Sequence, residues 1–509
     1  MSVARLPRLS LIANGGLPLS ADPGGPLTAL TAVRVQQRLS LPTLCELTFS
    51  DPPGPLTIDE HLPPGAQLRL LVDGEATPLF VGQITAVEYV YLPAGQREIR
   101  VRGYDPLHVL RKRQSVRAYV QVNARELAQE LVEPSGLQVE AEMAGPVFPH
   151  LVQHAQSNFD LLAQVMARCG LHFVARDGAL HLLTLDGMGE AIPLALGQSL
   201  LEARAELNGN QAARAVAAAG WSPLLMETFA ERATDARSGR TASAQVTPAA
   251  VNGYGEPQLV DENAMDAEHI AALAQAELDY RTAAEVTLWG VARGNPALQA
   301  GGRVVVEGLP AAIAGRYVLT RVDHVINARS GFVSEFSTAP PPPLPRPHSA
   351  IAALGVVTSV ADPDGFGRVR VAFPTYNNVE SEWLHVVSPA AGVHKGLVAL
   401  PDVDDNVLVL FTHQDPAQGV VVGGIYGPFA PYDSGVADGR VQRYSLRTVG
   451  GHIIRLDDQA QTLRVEDSSG SFVEMAPGKV KLYAQTDLEI SAPGKTIVVE
   501  AQAIDFRQR

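Results

Sequence analysis

Val480-Lys-Leu-Tyr-Ala484, Leu488-Glu-Ile-Ser-Ala492, Ile497-Val-Val-Glu-Ala501 and Ile504-Asp-Phe506 repeat one pattern. Two apolar residues stand two apart, so both fall on one side of a strand. Ser491-Ala-Pro-Gly494 turns the chain between two copies. Weaker copies lie upstream at Ile454/Leu456, Leu463/Val465 and Val473/Met475. A short strand plus a turn, recurring about every eight residues, is the mark of a β-solenoid. Passes this short bury only one or two apolar residues and cannot enclose a core within one chain. Single-chain solenoids use passes of about 20–30 residues. The economical solution is several chains wound about a common axis, each contributing one wall. The expected inward, chain-to-chain residues are Val480, Leu482, Leu488, Ile490, Ile497, Val499, Ile504 and Phe506.

Upstream, short strands continue without helices from about 350 to 428. Gly367–Phe373 places Val369, Val371 and Phe373 on one face. Trp383–Val387, Gly396–Leu400, Asn406–Phe411 and Gly419–Ile425 follow, separated by Asp362-Pro-Asp-Gly365, Asp402-Val-Asp-Asp405 and Gln414-Asp-Pro416. Five or six strands in so short a span suit a small Greek-key barrel of the OB type. Before it, prolines 340–343, 345 and 347 form a stretch that favours stiff polyproline II and reads as a linker over 339–349. A second connector is expected over 429–446, ahead of a spike at 447–509.

Residues 1–338 mix strands with a few helices. Arg97–Tyr104 alternates as a strand. Asn123 is a candidate N-cap for a helix carrying Leu127, Leu131 and Val132. Ser157, with Asp160 three residues on, begins a helix with Phe159, Leu162, Val165, Met166 and Cys169 on one face, and Gly170 ends it. Arg176-Asp-Gly178 joins two strands as a hairpin. A longer helix is predicted from Ala264 to Ala284, then strands at Gly302–Glu307 and Tyr317–Asn327. The fold class is therefore mainly β: an N-terminal β-barrel region with an α/β insertion, an OB barrel and a C-terminal multi-chain β-prism.

Composition agrees and narrows function. The 509 residues suggest three or four domains, and 46 % hydrophobic against 18 % charged residues supports a sizeable core. The net charge of −14 and the lack of a Lys/Arg run argue against nucleic acid as a partner. Cys45 and Cys169 are too few for a disulfide framework or a cysteine metal site. No apolar stretch reaches the ~20 residues of a spanning helix. Leu9–Ala13 after Arg5 and Arg8 is too short for the apolar part of a signal peptide, so synthesis in the cytoplasm is expected.

Enzyme signatures are missing. There is no HExxH, GxxxxGK[ST] or GxSxG, and Gly365-Phe-Gly367 precedes a strand rather than a helix. Asp402, Asp404 and Asp405 lack the calcium-loop spacing and read as a solvated turn. His172 and His181 face one another across the predicted hairpin without a third ligand. Neither a catalytic residue, a metal ligand nor a cofactor is expected.

The barrel segment resembles the VgrG family. Gly355-Val-Val-Thr-Ser-Val360 with Asp364–Phe373, then Trp383–Gly392, Val398–Phe411 and Asp415…Tyr426, follow the order of that family's motifs. Gln153–Leu162 and Cys169-Gly-Leu171 are similar to its phage-hub region. Asp404 and Asn406 depart from the usual Gly and Glu. The resemblance implies a fused hub and spike of a contractile injection machine, found in type VI secretion, contractile phage tails and extracellular injection particles. It implies a homotrimer and, as partners, a tube or hub-adaptor protein, baseplate proteins, a PAAR-repeat tip protein and the target-cell envelope. The tip protein would dock on Ile504, Phe506, Arg507 and Arg509. The protein would form part of a tail-like particle, extracellular or injected. Residues 427–443 leave no room for an inserted lysozyme domain, and no effector is expected after the repeats. The alternatives are a β-helix polysaccharide-degrading enzyme and a cell-wall-hydrolysing phage spike. The short passes argue against the first and the missing insertion against the second.

Overall fold

The computed structural model describes residues 7–19, 26–50, 61–225, 227–347, 349–426 and 430–507. Two compact units result, Met1–Gly424 and Ile425–Arg509.

The first unit is organised by a ten-stranded sheet. Its strands are β1 (Leu9–Ala13), β2 (Leu30–Arg38), β3 (Leu44–Ser50), β4 (Gln67–Val72), β5 (Phe80–Tyr91), β6 (Arg97–Tyr104), β7 (Leu200–Leu207), β8 (Val286–Arg293), β9 (Arg321–Asn327) and β10 (Gly331–Ser337). The spatial order is β1-β4-β5-β6-β3-β2-β9-β10-β8-β7. The two sequence-distant halves join through β2 and β9, where Val33 pairs with Ile326 and Val35 with His324. Each half builds its own core. Leu47, Phe49, Leu70 and Val101 pack in one, and Leu288, Val304, Tyr317 and Phe336 in the other. At the seam, buried Asp323 is paired with Arg34 at 3.3 Å and with Arg321.

The α/β insertion sits between the halves in sequence. Helix α1 (Ala124–Val132) begins at Asn123, whose side chain accepts from Glu126 N at 2.9 Å while Glu126 reaches back to Asn123 N. Helix α2 (Asn158–Arg168) has the same reciprocal cap between Ser157 and Asp160. Each cap satisfies amide donors that the first helical turn leaves unpaired. Gly170 adopts a φ of +66° just past α2, a conformation that carries little penalty without a Cβ. The hairpin turns at Asp177 and Gly178, both with positive φ. Leu127, Leu131, Leu162, Val165, Phe148 and Phe173 form the insertion's core. Helix α3 (Ala267–Glu285) starts three residues later than the pattern suggested, because Asp266 caps it by accepting from His269 N.

The barrel follows in the same unit: β11 (Ile351–Ser359), β12 (Arg370–Phe373), β13 (Val379–Glu380), β14 (His385–Val386), β15 (Asn406–Phe411) and β16 (Gly419–Gly424), in the order β13-β12-β11-β15-β16-β14. Val371, Phe373, Val407, Val409, Phe411 and Val421 fill it. The expected strand at Gly396–Leu400 does not form. That segment is exposed throughout and finds no strand partner in its own chain. The barrel rests against the rest of the first unit. Ala417 enters the insertion core, Asn263 Nδ2 donates to Asp415 Oδ2 at 2.8 Å, and His385 Nε2 donates to Leu224 O at 3.0 Å. The proline-rich segment is tied down as well. Thr320 Oγ1 donates to Ala339 O at 2.6 Å, and Arg346 lies 3.4 Å from Glu262.

The second unit is a five-stranded antiparallel meander: β17 (Arg443–Arg447), β18 (Ile453–Asp457), β19 (Thr462–Glu466), β20 (Phe472–Ala476) and β21 (Lys479–Tyr483). Asp433 accepts from Gly435 N at 2.9 Å and from both Nε and Nη2 of Arg443 at 2.8 Å, closing the turn before β17. The Arg443 contacts, followed by the Gly435 amide, hold that carboxyl well below the usual range. Gly435 has a φ of +71°, and a Cβ there would lie 2.1 Å from Arg443 O.

Candidate assembly face

The meander carries two apolar ladders on one face. Leu446, Ile454, Val465, Val473 and Leu482 are successive cross-strand partners, as are Tyr444, Leu456, Leu463, Met475 and Val480. Every one of these side chains is exposed, from 37 % for Val473 to 70 % for Val480. The opposite face is mainly polar, and its central charges pair with one another. Arg464 pairs with Glu466 at 2.8 Å and Glu474 at 2.9 Å. Its guanidinium sits 3.8 Å above the Phe472 ring, which stacks on Tyr483 at 5.2 Å. The alternation thus separates a paired polar face from an apolar face with nothing above it in its own chain. Exposed apolar surface on this scale is of the kind that interaction sites use.

Val480 and Leu482 lie on β21 in these ladders. Leu488, Ile490, Ile497, Val499, Ile504 and Phe506 do not form strands. They lie in extended, exposed chain, with Phe506 at 92 %. The physical reason is that residues 484–507 have no ladder partner within the chain, and a strand requires one. The Ser491–Gly494 turn is present, with Lys495 N donating to Ala492 O at 3.0 Å and Gly494 at φ +68°. Arg507 pairs with Asp505 at 2.6 Å, and both are exposed. Arg509 lies outside the described residues, as does Arg5. Tyr444 and Leu446 were not among the expected face residues. Their alternation, Tyr444-Ser-Leu446, is the same signal one pass further upstream.

The other candidate chemistry resolves into structure. Asp405 Oδ2 accepts from Asp402 N at 2.8 Å, which closes a turn. His172 pairs with Leu183 and His181 with Val174, so the imidazoles are diagonal rather than opposed. His181 faces Glu140 at 3.3 Å, and His172 Nδ1 lies 3.4 Å from Ser40 Oγ. Among the described residues no group of three His, Cys, Asp or Glu is arranged to hold a metal. Cys169 is buried on the α2 side of the insertion core, and burial pushes its thiol up to about 12.

Comparison with known proteins agrees with this architecture. Residues 353–426 match the type VI secretion system/phage-baseplate injector OB domain. Residues 49–328 match the Alg8 N-terminal domain over more than half of the chain, and the chain belongs to that family. The type VI secretion system spike protein VgrG3 of Vibrio cholerae is 30 % identical over 129 residues, 24 % of this chain and 12 % of that protein. VgrG4b of Pseudomonas aeruginosa is 33 % identical over 142 residues, 25 % of this chain and 17 % of that protein. The matched part thus spans less than a fifth of either curated relative. Two solved structures share the fold. The E. coli c3393 protein, a type VI secretion component similar to T4 tail proteins gp27 and gp5, superposes with a TM-score of 0.54 at 13 % identity, covering 82 % of this chain and 99 % of that one. A chain of the half-lidded Francisella PdpA–VgrG complex gives 0.56 at 10 % identity, covering 94 % and 88 %. The fold is VgrG-like: a hub-type β region, an injector OB barrel and a C-terminal β unit.

Proposed function

We propose that this protein is the homotrimeric hub and membrane-puncturing spike of a contractile injection machine. The uncovered double ladder of the C-terminal sheet carries the proposal. Three such walls, apolar faces inward, close a prism whose outer face is the self-paired polar one. Residues 484–507 then find strand partners in the neighbouring chains, which extends the prism through Leu488, Ile490, Ile497, Val499, Ile504 and Phe506. A closed prism has its backbone paired between chains and few free edges, so it resists unfolding under axial force. The role is mechanical rather than enzymatic.

In the hub, two cores hang on one shared sheet. Three copies would present six β modules, which suits docking on a hexameric tube ring or its adaptor within a baseplate. At the C-terminus, Ile504, Phe506 and Arg507, with Arg509 beyond them in sequence, would receive a separate PAAR-repeat tip protein before the particle meets the target envelope. The chain would be made in the bacterial cytoplasm and built into a tail-like particle.

Native mass spectrometry of the full chain tests the reading. A species of three 54.1 kDa chains is expected. A stable monomer that keeps the C-terminal sheet folded would overturn it.

A further inference from the structure

The barrel has a second uncovered apolar surface, independent of the spike wall. Strands β11, β15 and β16 are apolar on both faces. Their inward residues fill the barrel, while Leu354, Leu408, Leu410, Val420 and Val422 point outward. Leu354 pairs with Leu408, and Leu410 with Val420, so these side chains form one continuous patch. Leu354 is 56 % exposed. Strands apolar on both sides are the pattern of a sheet covered on both sides. The hub does not supply that cover. It meets the barrel elsewhere, at Leu224, Val379, His385 and Ala417.

The same barrel extends an arm. Residues 391–400 are exposed at every position, yet they include Val393, Leu397, Val398 and Leu400. Local bonds keep the arm in shape: Gly392 and Lys395 exchange backbone hydrogen bonds at 3.1 Å, and Leu397 N donates to Pro389 O at 3.1 Å. An uncovered apolar arm and an uncovered apolar sheet face in one domain are complementary surfaces, and a second copy of the chain supplies both.

We infer that the arm of one copy lies across the outer β11-β15-β16 face of the next copy's barrel. This rests on the trimer reading. A contact between different patches of identical chains is heterologous, and it closes into a ring when the rotation fits. With threefold rotation the ring closes after three copies, each giving one arm and receiving one. The barrel thereby becomes a collar that contributes to assembly independently of the spike.

Cysteine pairing between differently tagged, co-expressed full-length chains tests this. One chain carries Val398→Cys, the other Leu354→Cys. The native Cys45 and Cys169 are buried. Because neither chain holds both new cysteines, an arm folded onto its own barrel cannot produce the bond. Under mild oxidation a disulfide-linked heterodimer is expected, at about tenfold or more the yield obtained when Val398→Cys is matched with Tyr254→Cys on the hub surface, because assembly raises the local thiol concentration. A mixed population that native mass spectrometry shows to be trimeric but that gives no excess cross-link overturns the arm contact alone. A population that never forms trimers overturns the trimer reading, and the arm contact with it.

Discussion

Val465→Asp places a carboxylate at the centre of the proposed spike interior, on β19 between Ile454 and Val473. The ten ladder side chains keep 37–70 % of their exposure within one chain. Complete burial of such a side chain is worth about 1.5–3 kcal/mol, so covering the remaining half contributes about 1 kcal/mol each and about 10 kcal/mol per chain before ordering costs. The substitution removes one of these contributions and adds an unpaired buried carboxylate, which costs several kcal/mol unless it takes up a proton. Three copies converge, so the trimer should lose on the order of 10 kcal/mol. The isolated sheet should lose only about 1 kcal/mol, because this position is half exposed there and Asp is merely a poor strand former. Native mass spectrometry and thermal melting of the full chain provide the assay, with Glu474→Gln on the opposite face as control. A trimer whose abundance and melting temperature match the control would refute the inward placement of the ladder.

Other outcomes follow from the first unit and the tip. Asp362 accepts from the amides of Asp364, Phe366 and Arg368 and from the Arg368 side chain, and Asp362→Ala should destabilise the barrel by about 2 kcal/mol in denaturant melts. The Arg368 side chain, more than any other group, holds the Asp362 carboxyl below its ordinary range, so its contribution persists at neutral pH and fades only in strong acid. Burial drives His172 and His324 down to about 4, so each favours the folded state fully above its unfolded value near 6.5 and loses that advantage as pH falls towards 4. Buried Asp105, pushed up to about 6, works in the opposite direction, and a stability–pH curve should therefore decline below 6.5 with a shallower slope than two histidines alone would give. Arg346→Ala should speed hydrogen exchange at Ala339 and Leu344, amides that the surrounding prolines leave in this segment, since it removes the ion pair to Glu262. Deleting residues 504–509 should abolish binding of a tip protein while leaving the trimer; tip protein that still co-purifies would place its site elsewhere.

Local signals were legible wherever neighbours in sequence make the structure. The capping boxes at Asn123 and Ser157 and the Asp177-Gly178 hairpin all rest on bonds between neighbours in sequence. The apolar alternation after Leu446 was legible for the same reason, because side chains on a strand change face at every residue. This periodicity determined that the C-terminal segment carries one apolar face and one mainly polar face. Tertiary structure decided what the periodicity leaves open. Arg34 meets Asp323 across 289 positions, and no local pattern selects that pairing over other strand edges. The Leu397-Val-Ala-Leu400 run has the composition of a strand, but without a ladder partner in its own chain it stays an exposed arm. Residues 488–506 share that fate. Backbone hydrogen bonds in a strand belong to pairs, so a chain can specify which of its faces is apolar while the decision to become a strand rests with whatever lies beside it.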